Sequence, residues 1–143
     1  MRTKASILLV EDDEVDVMGV KRSFAHNKIA NPLFVASDGE QALAFLRHEG
    51  EYADPEKHPR PCIILLDLKL PRMGGIDFLR VIKNDPDILE IPVVVFTASD
   101  EETDVKESFR NGVAGYIVKP VTFEKFVEAI ATFDLYWTLS ELP

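Results

Sequence analysis

The sequence predicts a doubly wound α/β fold, in which helices cover both faces of a five-stranded parallel sheet. Short and almost entirely apolar segments recur along the 143 residues, and they alternate with segments of helical periodicity. Strands without a polar face must be buried on both sides, as they are in parallel sheets with helical crossovers. The chain is 46% apolar and 29% charged, a composition typical of one ordinary globular domain.

The first two strands are predicted at 6–10 and 33–36, with a helix over about 13–27 between them. Along that helix Val17, Val20 and Phe24 recur at the spacing of one buried face. After the second strand, Ser37 and Glu40 have the spacing of a capping box. The second helix is therefore expected to begin there and to carry Ala42, Leu43 and Leu46.

The segment 49–61 interrupts the alternation. Gly50, Pro55, Pro59 and Pro61, mixed with charged residues, predict a surface loop with little regular structure. The loop is long for a helix-to-strand connection, so it is either functional or a tolerated insertion. We favour a tolerated insertion, because surface loops accept extra length at low cost.

The remaining elements continue the alternation. The third, fourth and fifth strands are predicted at 62–67, 93–96 and 116–118. A helix between the third and fourth strands ends before Pro86. Ser99 and Glu102 form a second capping-box pattern, and the helix after them is expected to end near Gly112. A fifth helix is indicated by Phe123, Phe126, Val127 and Ile130.

Composition excludes several classes of function. The net charge is −9 and no basic cluster stands out, so binding to nucleic acid is not expected. No apolar run approaches the roughly 18–20 residues that span a membrane. The acidic residues 11–13 follow the first apolar run directly, which is unlike a signal peptide. Cys62 has no partner for an internal disulfide, and we expect a reduced core residue in a cytoplasmic protein.

Side chains that can react or bind a ligand occur at the ends of four of the five predicted strands. They are Glu11 and Asp12, then Asp67, Thr97 and Lys119. In the flavodoxin-type strand order 2-1-3-4-5, the first and third strands are neighbours at the point where the sheet reverses direction. The three carboxylates would then crowd together and require a counter-charge, for which Mg²⁺ or Mn²⁺ is the natural candidate. A carboxylate nucleophile, a metal and a lysine are the parts that phosphoryl transfer to an aspartate requires.

These motifs resemble the receiver domain of two-component response regulators. The matching motifs are Val10-Glu11-Asp12-Asp13, Leu66-Asp67-x-x-Leu70-Pro71, Thr97-Ala98 and Lys119-Pro120. The resemblance covers about residues 5–131. It implies that residues 1–143 are a single receiver domain with a core at about 5–131 and an aromatic C-terminal extension at 132–143.

The resemblance also implies a role for each motif residue. Asp67 would accept a phosphoryl group from a histidine kinase. Glu11, Asp12, Asp67 and the backbone carbonyl of Lys69 would bind the metal. Thr97 and Lys119 would contact the phosphoryl oxygens.

The resemblance further implies how the conformation would change on phosphorylation. Tyr116 would move inward as Thr97 shifts, and the peptide bond before Pro120 would be cis. Gly74 departs from the family, which commonly has Asp or Asn there, and we expect only the local turn to change. Asp13 is expected to be an acid at a helix N-terminus and not a metal ligand.

The insertion at 49–61 and the tail resemble the small regulators that partner phytochrome-type histidine kinases. The tail is rich in aromatic residues, with Phe133, Tyr136 and Trp137. It would either pack on its own domain or, with the face made by the fourth helix, fifth strand and fifth helix, form a homodimer. A downstream protein partner is also implied.

Two other functions are compatible with parts of this pattern. Haloacid-dehalogenase-type phosphatases also form an aspartyl phosphate, but they place a second Asp two residues after the nucleophile, where this chain has Lys69. A receiver-like scaffold that has lost phosphorylation would lack pocket residues, and here all are present. We therefore expect no turnover enzyme, only self-catalysed phosphoryl acceptance and autodephosphorylation.

Overall fold

The fold is organised around one sheet. A computed structural model of the protein describes residues 5–26, 31–98, 101–120 and 122–130. The strands are β1 (Ile7–Val10), β2 (Leu33–Ala36), β3 (Ile63–Leu66), β4 (Val93–Thr97) and β5 (Gly115–Val118). The helices are α1 (Glu14–His26), α2 (Gly39–Leu46), α3 (Gly75–Lys83), α4 (Glu102–Arg110) and α5 (Phe123–Ile130).

The sheet has five parallel strands in the order β2-β1-β3-β4-β5. This confirms the predicted doubly wound fold and its strand order. Val10, the last residue of β1, pairs with Ala36 on one side and with Leu66 on the other. Because β1 and β3 end in register, the residues that follow them emerge side by side at the carboxyl edge.

The two faces of the sheet make two separate cores. On β3, Ile63 and Leu65 face the core that contains Phe24 of α1 and Phe126 of α5, whereas Ile64 and Leu66 face the other core. That second core is filled by α2 and α3. Burying each such aliphatic side chain contributes about 1.5–3 kcal/mol, so the strand that precedes Asp67 is a rigid support.

Local hydrogen bonds from side chains fix the residues at which α1 and α2 begin. Asp13 caps α1, because its Oδ1 accepts from the backbone N–H groups of Val15 (2.8 Å) and Asp16 (3.2 Å). The predicted Ser37–Glu40 capping box is wrong by one residue. Asp38 is the N-cap of α2 and accepts from the N–H of Gln41 at 2.8 Å. Asp caps a helix at least as well as Ser, so the overlapping pattern one residue later is adopted.

The insertion at 49–61 is less irregular than predicted. It contains one 3₁₀ turn at Gly50–Tyr52, and two of its side chains pack on α2. The rings of Tyr52 and His58 lie 5.4 Å and 5.6 Å from the ring of Phe45, and 5.1 Å from each other. An aromatic cluster therefore fastens the insertion to the domain.

Several predicted features have a different or undescribed outcome. Cys62 is only partly buried, beside the core that includes Phe24, and burial raises the pKa of its thiol to about 11. The second predicted capping box is wrong, because the N-cap of α4 is Glu101, whose side chain makes no capping hydrogen bond within the described chain. Ser99 and the tail at 132–143 lie outside the described residues. Within the described ranges, no helix has the length and apolar character needed to cross a membrane.

Candidate functional site

The carboxyl edge of the sheet brings Glu11 and Asp67 together. Each directly follows its strand, and the N–H of Asp67 donates to the carbonyl of Val10 at 3.0 Å. Glu11 is 1% exposed and Asp67 is 3% exposed, whereas Asp12 next to them is exposed. Two buried carboxylates thus lie beneath one that faces solvent.

These three carboxylates suit a divalent cation. Carboxylate oxygens of Glu11, Asp12 and Asp67 all lie within 4.8 Å of one another. Hard oxygen donors at such spacing are the ligands that Mg²⁺ and Mn²⁺ prefer, and exposed Asp12 leaves one side open for water. The backbone N–H of Lys69 donates to Asp67 Oδ1 at 3.2 Å, which fixes that carboxylate. The proposed role of the Lys69 carbonyl stays a prediction.

Lys119 supplies the positive charge of the site. Its Nζ donates to Glu11 Oε1 at 2.6 Å and to Asp67 Oδ2 at 3.3 Å. The same ammonium lies 5.3 Å from the ring centre of Phe96. Lys119 therefore pairs with both buried carboxylates, and Glu11 is the closer partner.

Asp16 is a member of the site that the sequence analysis missed. It lies in the first turn of α1, and its Oδ2 accepts from Lys119 Nζ at 2.6 Å. The available signal was its position four residues after Asp12, at the start of the helix that follows β1, which places it near the same end of the sheet. Lys119 therefore lies among three carboxylates.

Burial and crowding shift the ionisation of this group. Burial, followed by the hydrogen bond and charge of Asp67, raises the pKa of Glu11 to about 8. Burial by itself lowers the pKa of Lys119, but hydrogen bonds to Asp16 and Glu11 outweigh it, so the net shift is upward. The hydrogen bond from Lys119 lowers the pKa of Asp16. Lys119 is thus charged at neutral pH.

Thr97 and Tyr116 lie on β4 and β5, on the side of β3 away from β1. Thr97 is the last residue of β4 and is fully buried, and its carbonyl accepts from the N–H of Lys119 at 2.8 Å. Tyr116 pairs with Val95 and is half-buried beside the core filled by α2 and α3. The peptide bond between Lys119 and Pro120 is cis.

The first residue of α3, Gly75, lies close to the backbone of Asp67 and Leu68. A Cβ on Gly75 would lie 2.6 Å from Leu68 Cα and 2.7 Å from the Asp67 carbonyl oxygen, distances at which backbone atoms collide. A Cβ on the preceding Gly74 would meet nothing within 4 Å. The close approach therefore requires glycine at 75 and not at 74.

Known proteins resemble this chain in sequence and in fold. The family model for the response regulator receiver domain matches residues 7–131. Response regulator Rcp1 of Synechocystis sp. is 39% identical over 131 residues, which are 92% of this chain and 87% of Rcp1. The crystal structure of the Mn²⁺-bound form of Rcp1 superposes with a TM-score of 0.76 at 37% identity and covers 97% of both chains.

Two further solved structures are those of phytochrome response regulators. Bacteriophytochrome response regulator RtBRR has a TM-score of 0.83 at 42% identity, over 94% of this chain and 80% of that one. The phosphorylated cyanobacterial phytochrome response regulator RcpA has a TM-score of 0.78 at 35% identity, over 98% and 97%. The match to the family model extends from β1 to the end of the described chain and includes every strand end considered above. This chain belongs to the response regulator receiver domain family.

Proposed function

We propose that this chain is a single-domain response regulator that accepts a phosphoryl group on Asp67 from a phosphohistidine of a sensor histidine kinase. The observation that carries the proposal is the contact of Asp67 Oδ2 with Lys119 Nζ at 3.3 Å, inside a cluster of carboxylates. A buried carboxylate on a rigid strand, with an ammonium beside it, is suited to bind an incoming phosphoryl group.

The transfer needs no further protein nucleophile. A carboxylate oxygen of Asp67 attacks phosphorus, and the bond from phosphorus to the histidine nitrogen breaks as the new P–O bond forms. The departing nitrogen keeps the electron pair and is protonated from solvent. The Lys119 ammonium and the Thr97 hydroxyl would donate to phosphoryl oxygens, where negative charge is concentrated. Loss of the group by reaction with water restores the free carboxylate.

Glu11, Asp12, Asp67 and the carbonyl of Lys69 would hold a divalent cation, Mg²⁺ or Mn²⁺. Such a cation offsets the charge of the phosphoryl oxygens. The donor set contains only oxygen, which disfavours zinc. The Mn²⁺-bound form of Rcp1 supports a metal of the same class here.

The output would be altered protein binding. Thr97 and Tyr116 would move together on phosphorylation and change the face formed by α4, β5 and α5. That face and the extension at 132–143 would bind a second copy of the chain or a downstream protein. The similarity to the phytochrome response regulators RtBRR and RcpA supports a phytochrome-type kinase as the partner. The protein would act in the cytoplasm, without binding nucleic acid or membrane.

The test is phosphorylation in solution. The purified protein is incubated with acetyl phosphate and Mg²⁺, or with a phosphorylated phytochrome-type kinase, and analysed by intact mass spectrometry. We expect one phosphoryl group on the wild type and none on Asp67→Asn. Asp77→Asn, an exposed site on α3, is the matched control and should behave as the wild type. Equal labelling of Asp67→Asn would contradict the proposal.

A further inference from the structure

The three carboxylates around Lys119 are not equivalent. Glu11 and Asp67 belong to the group that could hold a metal, whereas Asp16 is outside that group among the described residues. Nevertheless Asp16 lies as close to the ammonium as Glu11 does, at 2.6 Å, and closer than Asp67 at 3.3 Å. Asp16 therefore interacts with Lys119 and does not belong to the group that could hold the metal.

We propose that Asp16 is a positioning residue that holds the Lys119 ammonium in the resting protein and competes with the phosphoryl group for it. The inference rests on the proposed function, because it assumes that Lys119 contacts the phosphoryl group on Asp67. It adds a residue that no motif of the site contains. Phosphorylation then requires Lys119 to exchange an Asp16 oxygen for a phosphoryl oxygen.

Burial identifies Asp16 as the partner that Lys119 leaves. The side chain of Glu11 is 0% exposed, so water could not replace the lost hydrogen bond, and such unpaired buried groups are costly. The side chain of Asp16 is 35% exposed, and with Lys119 and Pro120 it lines an open cleft of about 360 Å³. Water can therefore hydrate Asp16 as soon as the ammonium departs.

This competition lowers the apparent affinity for a phosphoryl group. A ligand of this kind binds only those molecules in which Lys119 is available. Its apparent affinity is then the intrinsic affinity multiplied by the fraction of such molecules. If Asp16 holds the ammonium about nine-tenths of the time, removal of the carboxylate tightens binding roughly tenfold. Damage to the structure would have the opposite effect, so a gain in affinity distinguishes positioning from a merely structural role.

The experiment measures the affinity for beryllium fluoride, which mimics a phosphoryl group on a carboxylate, by titration calorimetry at fixed Mg²⁺. Asp16→Asn and Asp16→Ala should each bind about tenfold more tightly than the wild type. The matched control is Asp13→Asn, which removes one charge from the same turn of α1 but leaves a capping side chain and does not touch Lys119. Its affinity should change by no more than about twofold.

Failure of the inference and failure of the proposed function give different results. If the wild type binds the probe but the Asp16 variants bind equally or more weakly, Asp16 does not compete for Lys119. An equal gain in Asp13→Asn would also overturn the inference, since the effect would then be one of net charge. If the wild type and Asp67→Asn show the same response to the probe, the proposed function itself is wrong.

Discussion

Lys119 Nζ and Glu11 Oε1 lie 2.6 Å apart beside Asp67, at a place where Glu11 is almost completely screened from solvent. The contact joins the end of β5 to the end of β1, across the two strands that lie between them in the sheet. Lys119 is thus an internal counter-charge of the carboxylate cluster. A cation bound to the cluster would supply the same compensation.

The first prediction concerns the removal of this counter-charge. Lys119→Met should destabilise the metal-free protein by about 3 kcal/mol, because it leaves buried carboxylates without their partner. The measurement is urea unfolding in the presence of a chelator, followed by circular dichroism. Excess Mg²⁺ should restore part of the loss, because a ligand of the folded state alone stabilises it by mass action.

The control for this variant is another lysine in a close ion pair. Lys106 lies 2.9 Å from Glu102, but the two side chains are 67% and 80% exposed. Such a pair contributes little, so Lys106→Met should cost at most about 0.5 kcal/mol. Equal losses in the two variants would show that burial of the Lys119 cluster has no energetic consequence.

A second prediction follows from the raised pKa of Glu11. A carboxyl group with a pKa of about 8 is largely protonated at lower pH, and a metal must displace that proton to bind. Protonation favours the unbound form below the pKa, so apparent Mg²⁺ affinity should decrease about tenfold per pH unit below about pH 8 and level off above it. Calorimetry in buffers of different ionisation heat would count the released proton.

Glu11→Gln is the matched variant for the pH dependence. It keeps the size and hydrogen-bonding capacity of the side chain but has no proton to release. Its Mg²⁺ affinity should be weaker at alkaline pH and nearly independent of pH between about 6 and 8. A wild-type affinity that is flat over the same range would mean that Glu11 is already ionised when the metal arrives.

The fold could be predicted from the sequence because its strongest signal is local. Ile63–Leu66 has no polar side chain and must be buried on both faces, and the same kind of apolar run marks β1 and β4. The carboxylate cluster followed from the same logic, since Glu11 and Asp67 directly follow such strands. Their proximity then depended only on the strand order.

The spacing from Asp12 places Asp16 near the site, but it does not predict the contact with Lys119, because that contact depends on the rotation of α1 about its own axis. That rotation is set by the packing of Val20 and Phe24 against the sheet, a tertiary contact. The start of α2 involved two overlapping capping patterns, and only the structure distinguishes Ser37 from Asp38. The anchoring of the insertion depends on Tyr52 and His58 reaching Phe45, which the loop-forming composition of the segment does not reveal.

A third prediction compares two adjacent glycines. Gly75→Ala should destabilise the protein by about 1–3 kcal/mol and weaken Mg²⁺ binding, because its Cβ would collide with the backbone of Leu68 and Asp67. Gly74→Ala should change stability by less than about 1 kcal/mol, since its Cβ has free space. Alanine is a poorer N-cap for α3 than glycine, but it also makes the unfolded chain less flexible, and the two effects oppose each other. Urea unfolding and calorimetry check both effects. Equal behaviour of the two variants would contradict the close approach.

The last prediction decides whether the insertion at 49–61 is structural or functional. Tyr52→Ala removes the ring that contacts both Phe45 and His58, and it should cost about 2 kcal/mol of stability. Tyr52→Phe keeps the ring and should stay within about 0.5 kcal/mol of the wild type. If the insertion is merely tolerated, both variants accept a phosphoryl group from acetyl phosphate as fast as the wild type, because no side chain of 49–61 is part of the carboxylate and lysine cluster in the described residues. A loss of phosphorylation in Tyr52→Ala under conditions where the variant remains folded would instead assign the insertion a role in the reaction.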